Sequence, residues 1–322
     1  MGSLRTLGVT EQVGLLFVVL FGLLTLVTLV AFSRSLRESD ALEQATRDRL
    51  QRDLRAMWAG AALFWIAWAS GTFVSTLLFG VLSFLSLREF VTLTHTRRGD
   101  HRSLLLAFFV VLPAQYVLVA MRLFNAFTVF IPVYVFLAIP VISAFGNDPK
   151  RFLERTAKIQ WGIMVCVYGM SHAPALLLLD LPAYAGRGAF LVLYLVMVVA
   201  AAQLAQEAAS RRLRRRPVAR AISRSFSWRA WLIGVLAASL VGALLYWSTP
   251  FKPLTALAMG LVAGGAGTLG EFVMKALKRD AGVRSWSGQA SVTGAVGLLD
   301  RAAPLCFAAP VFFHSVRWHF SI

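Results

Sequence analysis

Uncharged apolar runs, several near the roughly 20 residues that cross a bilayer, alternate with short polar connections along the whole chain. The pattern predicts spans at Val13–Phe32, Met57–Ser70, Thr72–Leu87, Leu104–Met121, Ala126–Phe145, Ile159–Leu179, Gly188–Gln206, Ala230–Ser248, Leu254–Met274 and Pro304–Val316. The second and third are short enough to form one long tilted helix. Charge argues against that. Connections 33–56, 88–103, 146–158, 207–229 and 275–303 hold nearly all the Lys and Arg, and basic loops stay in the cytoplasm. Loops 33–56 and 88–103 must then share a side, so the stretch between them crosses twice and turns near Ser70-Gly71. Both termini lie outside on this count. If Pro304–Val316 is only re-entrant, the C-terminus stays inside. The fold class is all-α, a polytopic integral membrane protein with about nine to ten transmembrane helices.

Composition agrees: 58% of the 322 residues are apolar and 15% charged, where soluble domains carry about a quarter charged. Net charge is +17. The basic residues flank apolar spans and no basic stripe with interleaved aromatics occurs, so the expected partner is anionic lipid and not nucleic acid. Cys166 and Cys306 lie in apolar runs and read as small packing residues. The first run lacks the basic leader and short core of a cleaved signal and reads as a retained helix. In the loop that follows it, Glu43–Arg47 and Arg49–Asp53 are spaced i,i+4, as on a solvated interfacial helix. The domain reading is 1–56, a transmembrane helix with a charged interfacial segment, and 57–322, a transmembrane domain.

Polar groups inside spans are costly and are functional candidates by default. His172, before Pro174, reads as a proton relay or ligand, or as a histidine bonded to a backbone carbonyl freed by the proline; the second reading leads. Arg122 and Asn125 sit at a span boundary, and Asp180 starts an outer loop. Loop 207–229 is the most basic. It is a topology signal and lipid-adhesive surface, or a phosphate cradle to which Ser223 and Ser227 add hydroxyl donors. Loop 275–303 has the stronger chemical case. Nucleotidyl transfer needs cations for phosphate and a carboxylate-held Mg²⁺ against developing charge. Lys275, Lys278, Arg279 and Arg284 supply cations; Glu271, Asp280 and Asp300 supply carboxylates. Gly288, Gly294 and Gly297 let backbone approach a phosphate. Asp300 also has a plainer reading, a salt bridge to a loop arginine.

Lys278-Arg279, the run Gly297-Leu-Leu-Asp300-Arg301 and the segment Ala308–Phe313 together resemble the C-terminal signature of the phosphatidate cytidylyltransferases (CDP-diacylglycerol synthases). That signature runs Ser-x-x-Lys-Arg, four residues, Lys-Asp, a spacer, Pro-Gly-His-Gly-Gly, two apolar residues and Asp-Arg-x-Asp. Upstream, Phe84–Phe90 with Arg88-Glu89, Gly146-Asn-Asp148-Pro149 and Trp161–Ala173 resemble stretches of bacterial members. The likeness covers residues 80–320 in order. It implies transfer of CMP from CTP to phosphatidate, with phosphatidate attacking the α-phosphorus and pyrophosphate leaving. It implies Asp300 and Glu271 as catalytic and Mg²⁺-holding carboxylates. Lys278, Arg279, Arg301, Ser223 and Ser227 are the implied substrate-binding residues, and the bacterial inner membrane is the implied location. The assembly stays open, with a homodimer as one arrangement.

The departures are specific. The signature's first Ser is Lys275, its Lys-Asp is Arg284-Ser285, its His position falls at Ala295 and its closing Asp is Ala303. The upstream Gly-Asp is Gly270-Glu271. The Asn-Asp before the basic loop falls near Ala202-Gln203, one turn from Glu207, which stands as a substitute. A Ser-Pro-x-Lys-Thr motif appears as Ser223–Ser227 without its lysine. The thinned carboxylates imply an impaired enzyme or, alternatively, an inactive lipid- or partner-binding homologue. A lipid transporter ranks third, because glycine-rich Gly260–Gly270 has no counterpart in the first half.

Overall fold

The computed structural model describes residues 69–94, 96–181, 184, 186–213, 216–223, 225–283 and 297–322, with scattered positions between 8 and 66. Two compact units emerge, Met1–Ser75 and Thr76–Ile322. The expected boundary at 56–57 lies outside the described residues. In the first unit Trp58 Nε1 donates to Thr28 Oγ1 at 3.1 Å, and Phe17 and Phe21 pack against Trp65. A helical stretch ends at Ser70, where Gly71 takes a φ of 82°. The break thus falls where the charge count requires one.

Eight helices follow among the described residues: α1 (Gly71–Leu93), α2 (Arg98–Ala120), α3 (Phe124–Ala144), α4 (152–177), α5 (Gly188–Leu213), α6 (Trp228–Leu244), α7 (Pro253–Asp280) and α8 (Leu298–Phe320). They stand at the third to tenth expected spans. Five of them, α1, α2, α3, α5 and α7, are long and apolar enough to cross a membrane. No strand occurs among the described residues. Turns of π-helix interrupt α2 at Ala107–Val111, α3 at Phe130–Val135 and α4 at Ile163–Gly169. The first two lie beside or around Pro113 and Pro132, whose missing N–H groups loosen the helical ladder.

Lipid tails are as apolar as leucine, so helices in a bilayer associate through close packing and polar contacts. Both operate here. A Cβ on Gly260 would lie 2.7 Å from the Ala238 carbonyl, and one on Gly234 would lie 2.6 Å from the Ala202 carbonyl. Backbone contact of that kind joins α5, α6 and α7. Gly270 lies against the Phe307 ring, which seats α7 on α8. In the other half, Leu87, Phe90, Ile131, Ile139, Ile163 and Cys166 form one buried cluster with Leu299 and Cys306 of α8. Ser83 donates to the Cys166 carbonyl at 2.6 Å, and Ser103 bonds Ser143 at 2.7 Å. Both cysteines are free and buried.

The ends of the second unit separate by charge. At one end, Arg155 bonds Asp148 at 2.6 Å and lies 3.4 Å from Asp100, Arg97 reaches Asp148 at 3.2 Å, and Lys158 lies 3.8 Å from Asp280. The basic connections after α1, α3 and α7 therefore gather on one side. At the other end Arg122 pairs with Asp180, Tyr184 donates to the Ser248 carbonyl, and Arg317 donates to Asn125 at 2.9 Å. Helix α8 runs from the first end to the second. Its 23 residues measure about 34 Å, enough to pass the ~30 Å hydrocarbon layer. Of the two readings for Pro304–Val316, the length of the helix suits a full crossing, although it is not one of the five that are also apolar enough for it.

Candidate functional site

Glu271, Lys275 and Lys278 are spaced i, i+4, i+7 and so share one face of α7. Lys275 bonds Glu271 at 2.6 Å, and Glu271 also accepts from Gln203 Nε2 of α5 at 2.9 Å. Lys278 reaches across to α8 and bonds Asp300 at 2.6 Å, while its charge also acts on Glu271. The side chains of Lys278 and Asp300 are 18% and 23% exposed, so the pair is half withdrawn from water and still reachable. The plainer reading of Asp300 as an ion-paired carboxylate gains a described partner, Lys278 of α7.

Asp300 owes its place to a residue far away in sequence. The first turn of any helix leaves N–H groups without partners. Here the buried Glu89 carboxylate of α1 accepts from the backbone N–H of Gly297, Leu298 and Leu299 at 2.8, 3.1 and 2.9 Å. Gly297 starts the helix at a φ of 73°, a conformation that favours glycine. That requirement accounts for glycine at this point of the signature. Asp300 follows directly after the last capped N–H. The fold thus fixes the carboxylate by anchoring the backbone beneath it.

Ser223 and Ser227 enter by a different route. Phe226 stacks on Phe272 with ring centroids 4.3 Å apart, pinning their segment beside Glu271. Ser227 caps α6 by accepting from Ala230 N at 3.3 Å, and Ser223 faces Ser225 at 3.3 Å. Ser227 therefore has a structural task that its sequence context did not announce. Arg279 and Arg301 are exposed, each next in sequence to a member of the Lys278–Asp300 pair. Glu207 bonds Arg211 at 2.5 Å on the exposed end of α5, and it is Gln203, one turn earlier, that meets Glu271. Arg224, Arg284, Ser285, Gly288, Gly294 and Ala295 lie outside the described residues. His172 Nδ1 meets the Tyr168 carbonyl at 2.7 Å, so the histidine is backbone-bonded as the plainer reading expects, but to the carbonyl one turn before it and not to the Met170 carbonyl that Pro174 leaves without an amide. His314 of α8 joins it through the Tyr168 hydroxyl at 3.3 Å, a neighbour that helical spacing along α4 does not reveal.

Three groups of this end went unassigned in the sequence: Glu89, Gln203 and the Asp100–Arg155–Asp148 network. A lone acid at the end of an apolar span signals Glu89 in principle, but nothing local says that it caps a helix more than 200 residues on. Asp148 lies in a loop, and its carboxyl is held below the usual range, first by the Arg155 hydrogen bond.

Among the described residues no three of His, Cys, Asp and Glu come together as a metal site. Mg²⁺ is commonly held by one or two carboxylates plus substrate phosphates. Asp300 and Glu271 fit that arrangement only with a bound nucleotide completing the shell. Without phosphate, lysines neutralise both. The arrangement can bind phosphate through Lys275 and Lys278 and keep two carboxylates beside it.

The chain is similar to known proteins over most of its length. The sequence model of the cytidylyltransferase family matches residues 50–319. Escherichia coli (strain K12) "Uncharacterized protein YnbB" is 33% identical over 271 residues, 82% of this chain and 86% of that one. A phosphatidate cytidylyltransferase of Synechocystis sp. is 38% identical over 87 residues, 26% of this chain and 29% of that one. Matched across 270 residues by the family and aligned nearly end to end with a bacterial relative, this chain belongs to the cytidylyltransferase family.

Proposed function

We propose that the protein transfers CMP from CTP to phosphatidate at the cytoplasmic face of a bacterial inner membrane, giving CDP-diacylglycerol and pyrophosphate. The observation that carries this reading is the Lys278–Asp300 pair, held at the head of α8 by the Glu89 cap. A phosphate entering between the two takes the ammonium and frees the carboxylate. Lys278, Lys275, Arg279 and Arg301 bind the phosphates of nucleotide and lipid, and Ser223 and Ser227 border the site. An oxygen of the lipid phosphate attacks the α-phosphorus of CTP, forming the new P–O bond as the bond to the β,γ-pyrophosphate breaks. Mg²⁺, held by Asp300, Glu271 and the nucleotide phosphates, would neutralise charge on the leaving group.

A second reading is a catalytically inactive lipid-binding member. It is favoured by the lysine on each carboxylate and by the small number of carboxylates at hand. Purified protein with labelled CTP, phosphatidate and Mg²⁺, beside Asp300→Asn, separates the two. CDP-lipid that disappears in the variant supports transfer. No product across several lipid phosphates and metals, with lipid binding retained, supports the inactive member.

A further inference from the structure

The same end of the unit carries a cavity of about 300 Å³ away from α7 and α8, lined by Thr96, Arg97, Arg98, His101 and Leu104 at the start of α2. Its charge is unbalanced. Arg155 lies between the carboxylates of Asp100 and Asp148, and Arg97 shares Asp148. Arg98 adds a third guanidinium to this region and lines the cavity directly. The side chains of Arg98 and His101 have no hydrogen-bond or ion-pair partner among the described residues and are exposed. Asp100 is turned away, accepting from Arg97 N at 2.9 Å and buried at 1% exposure. The acid nearest the cavity in sequence is thus withdrawn from it.

The shape adds a second criterion. Leu104 also lines the cavity and begins the apolar part of α2. The cationic lining thus adjoins the start of an apolar membrane-length helix, the order of groups that a lipid headgroup followed by its acyl chains would meet. Guanidinium groups bond phosphate oxygens in a two-pronged manner. The cavity also opens at the N-terminal end of a long helix, where the dipole favours an anion.

We propose that this cavity is a phosphate-binding site separate from the one at Lys278 and Asp300, taking the headgroup of an anionic phospholipid. Arg98 is its principal ligand, with Arg97, His101 and the Thr96 hydroxyl around it. Nothing in the proposal depends on CMP transfer, since an inactive member would carry the same site.

The test counts phosphatidates bound per chain by native mass spectrometry of the detergent-solubilised full chain. Wild type, Arg98→Gln/His101→Gln, Lys278→Gln and the combined variant are compared. The ligands are dihexanoyl phosphatidate, dihexanoyl phosphatidylcholine and inorganic phosphate. Melting of each variant checks the fold. The expected result is a weakening of phosphatidate binding by about tenfold or more in the double variant, as for loss of charge-assisted bonds. That loss should add to the one from Lys278→Gln, with phosphatidylcholine bound poorly throughout. Weakened inorganic phosphate with unchanged phosphatidate would keep the phosphate site and assign it to a soluble anion. A folded double variant that matches wild type for both anions overturns the proposal.

Discussion

Replacing Glu89 by glutamine tests the central geometric claim, that a carboxylate on α1 sets the start of α8. Glu89 is 4% exposed and accepts three backbone N–H groups at 2.8–3.1 Å, two on one oxygen and one on the other. Glutamine keeps one oxygen and turns an NH₂ group toward the N–H that the lost oxygen served. One buried N–H is orphaned at about 1–3 kcal/mol, and the surviving bonds lose their charge-assisted strength. The total is roughly 2–4 kcal/mol. At about 2–4 °C per kcal/mol for a unit of this size, the melting temperature in detergent should fall by roughly 5–15 °C. Alanine orphans all three groups and should cost more. Asp300 follows the last capped residue, so a shift of the helix start moves it away from Lys278. A displacement near 1 Å is worth about a hundredfold in rate, measured as CDP-lipid formation well below the melting point. A glutamine variant that melts with wild type and keeps its product rate would refute the reasoning and place the anchor of α8 elsewhere.

Gly270→Ala should destabilise by about 1–3 kcal/mol, because its Cβ would overlap the Phe307 ring; Phe307→Leu in the same chain should recover part of the loss in a melting assay. Folding lowers the Asp148 carboxyl pKa, so its contribution is complete above the unfolded value, about 4, and disappears as pH falls through the folded value. Melting temperature below pH 4 should therefore fall more steeply in wild type than in Asp148→Asn. A reporter enzyme that folds only outside the cytoplasm should be active when fused after Ile322 and inactive when inserted at residue 150; activity at both positions would sink the topology.

Helix positions were legible because a bilayer imposes a length and a charge rule, and neither depends on which helix touches which. The eight apolar runs after Gly71 became eight helices, and within the second unit the described basic connections after α1, α3 and α7 gathered at one end, as counting Lys and Arg led one to expect. The site was legible only in part. Motif spacing found Glu271, Lys278 and Asp300 but could not pair them, since the pairing depends on how α7 seats on α8. That seating is fixed by Gly267 and Gly270 against Pro304 and Phe307, contacts that look in sequence like any stretch of small and apolar residues. The same blindness hid Ser227, whose hydroxyl caps a helix, and Glu89, whose partner groups are backbone amides.

Glu89 also bears on the departures from the family signature. Carboxylates expected at 303 and near 203 are Ala303 and Gln203 here, and both replacements fit their surroundings. Ala303 is 2% exposed inside the apolar cluster, where an ionised carboxylate without a partner would be very costly. Gln203 instead donates to Glu271. The device that positions Asp300, by contrast, is complete: buried acid, left-handed glycine and three capped amides. Scaffold and ligand set have thus separated. A chain keeping only its fold has no need of a carboxylate directly above that cap, whereas Asp300 stands there with a lysine beside it. The substitutions weigh against full metal affinity, and the retained anchor weighs for a phosphate still handled at that point.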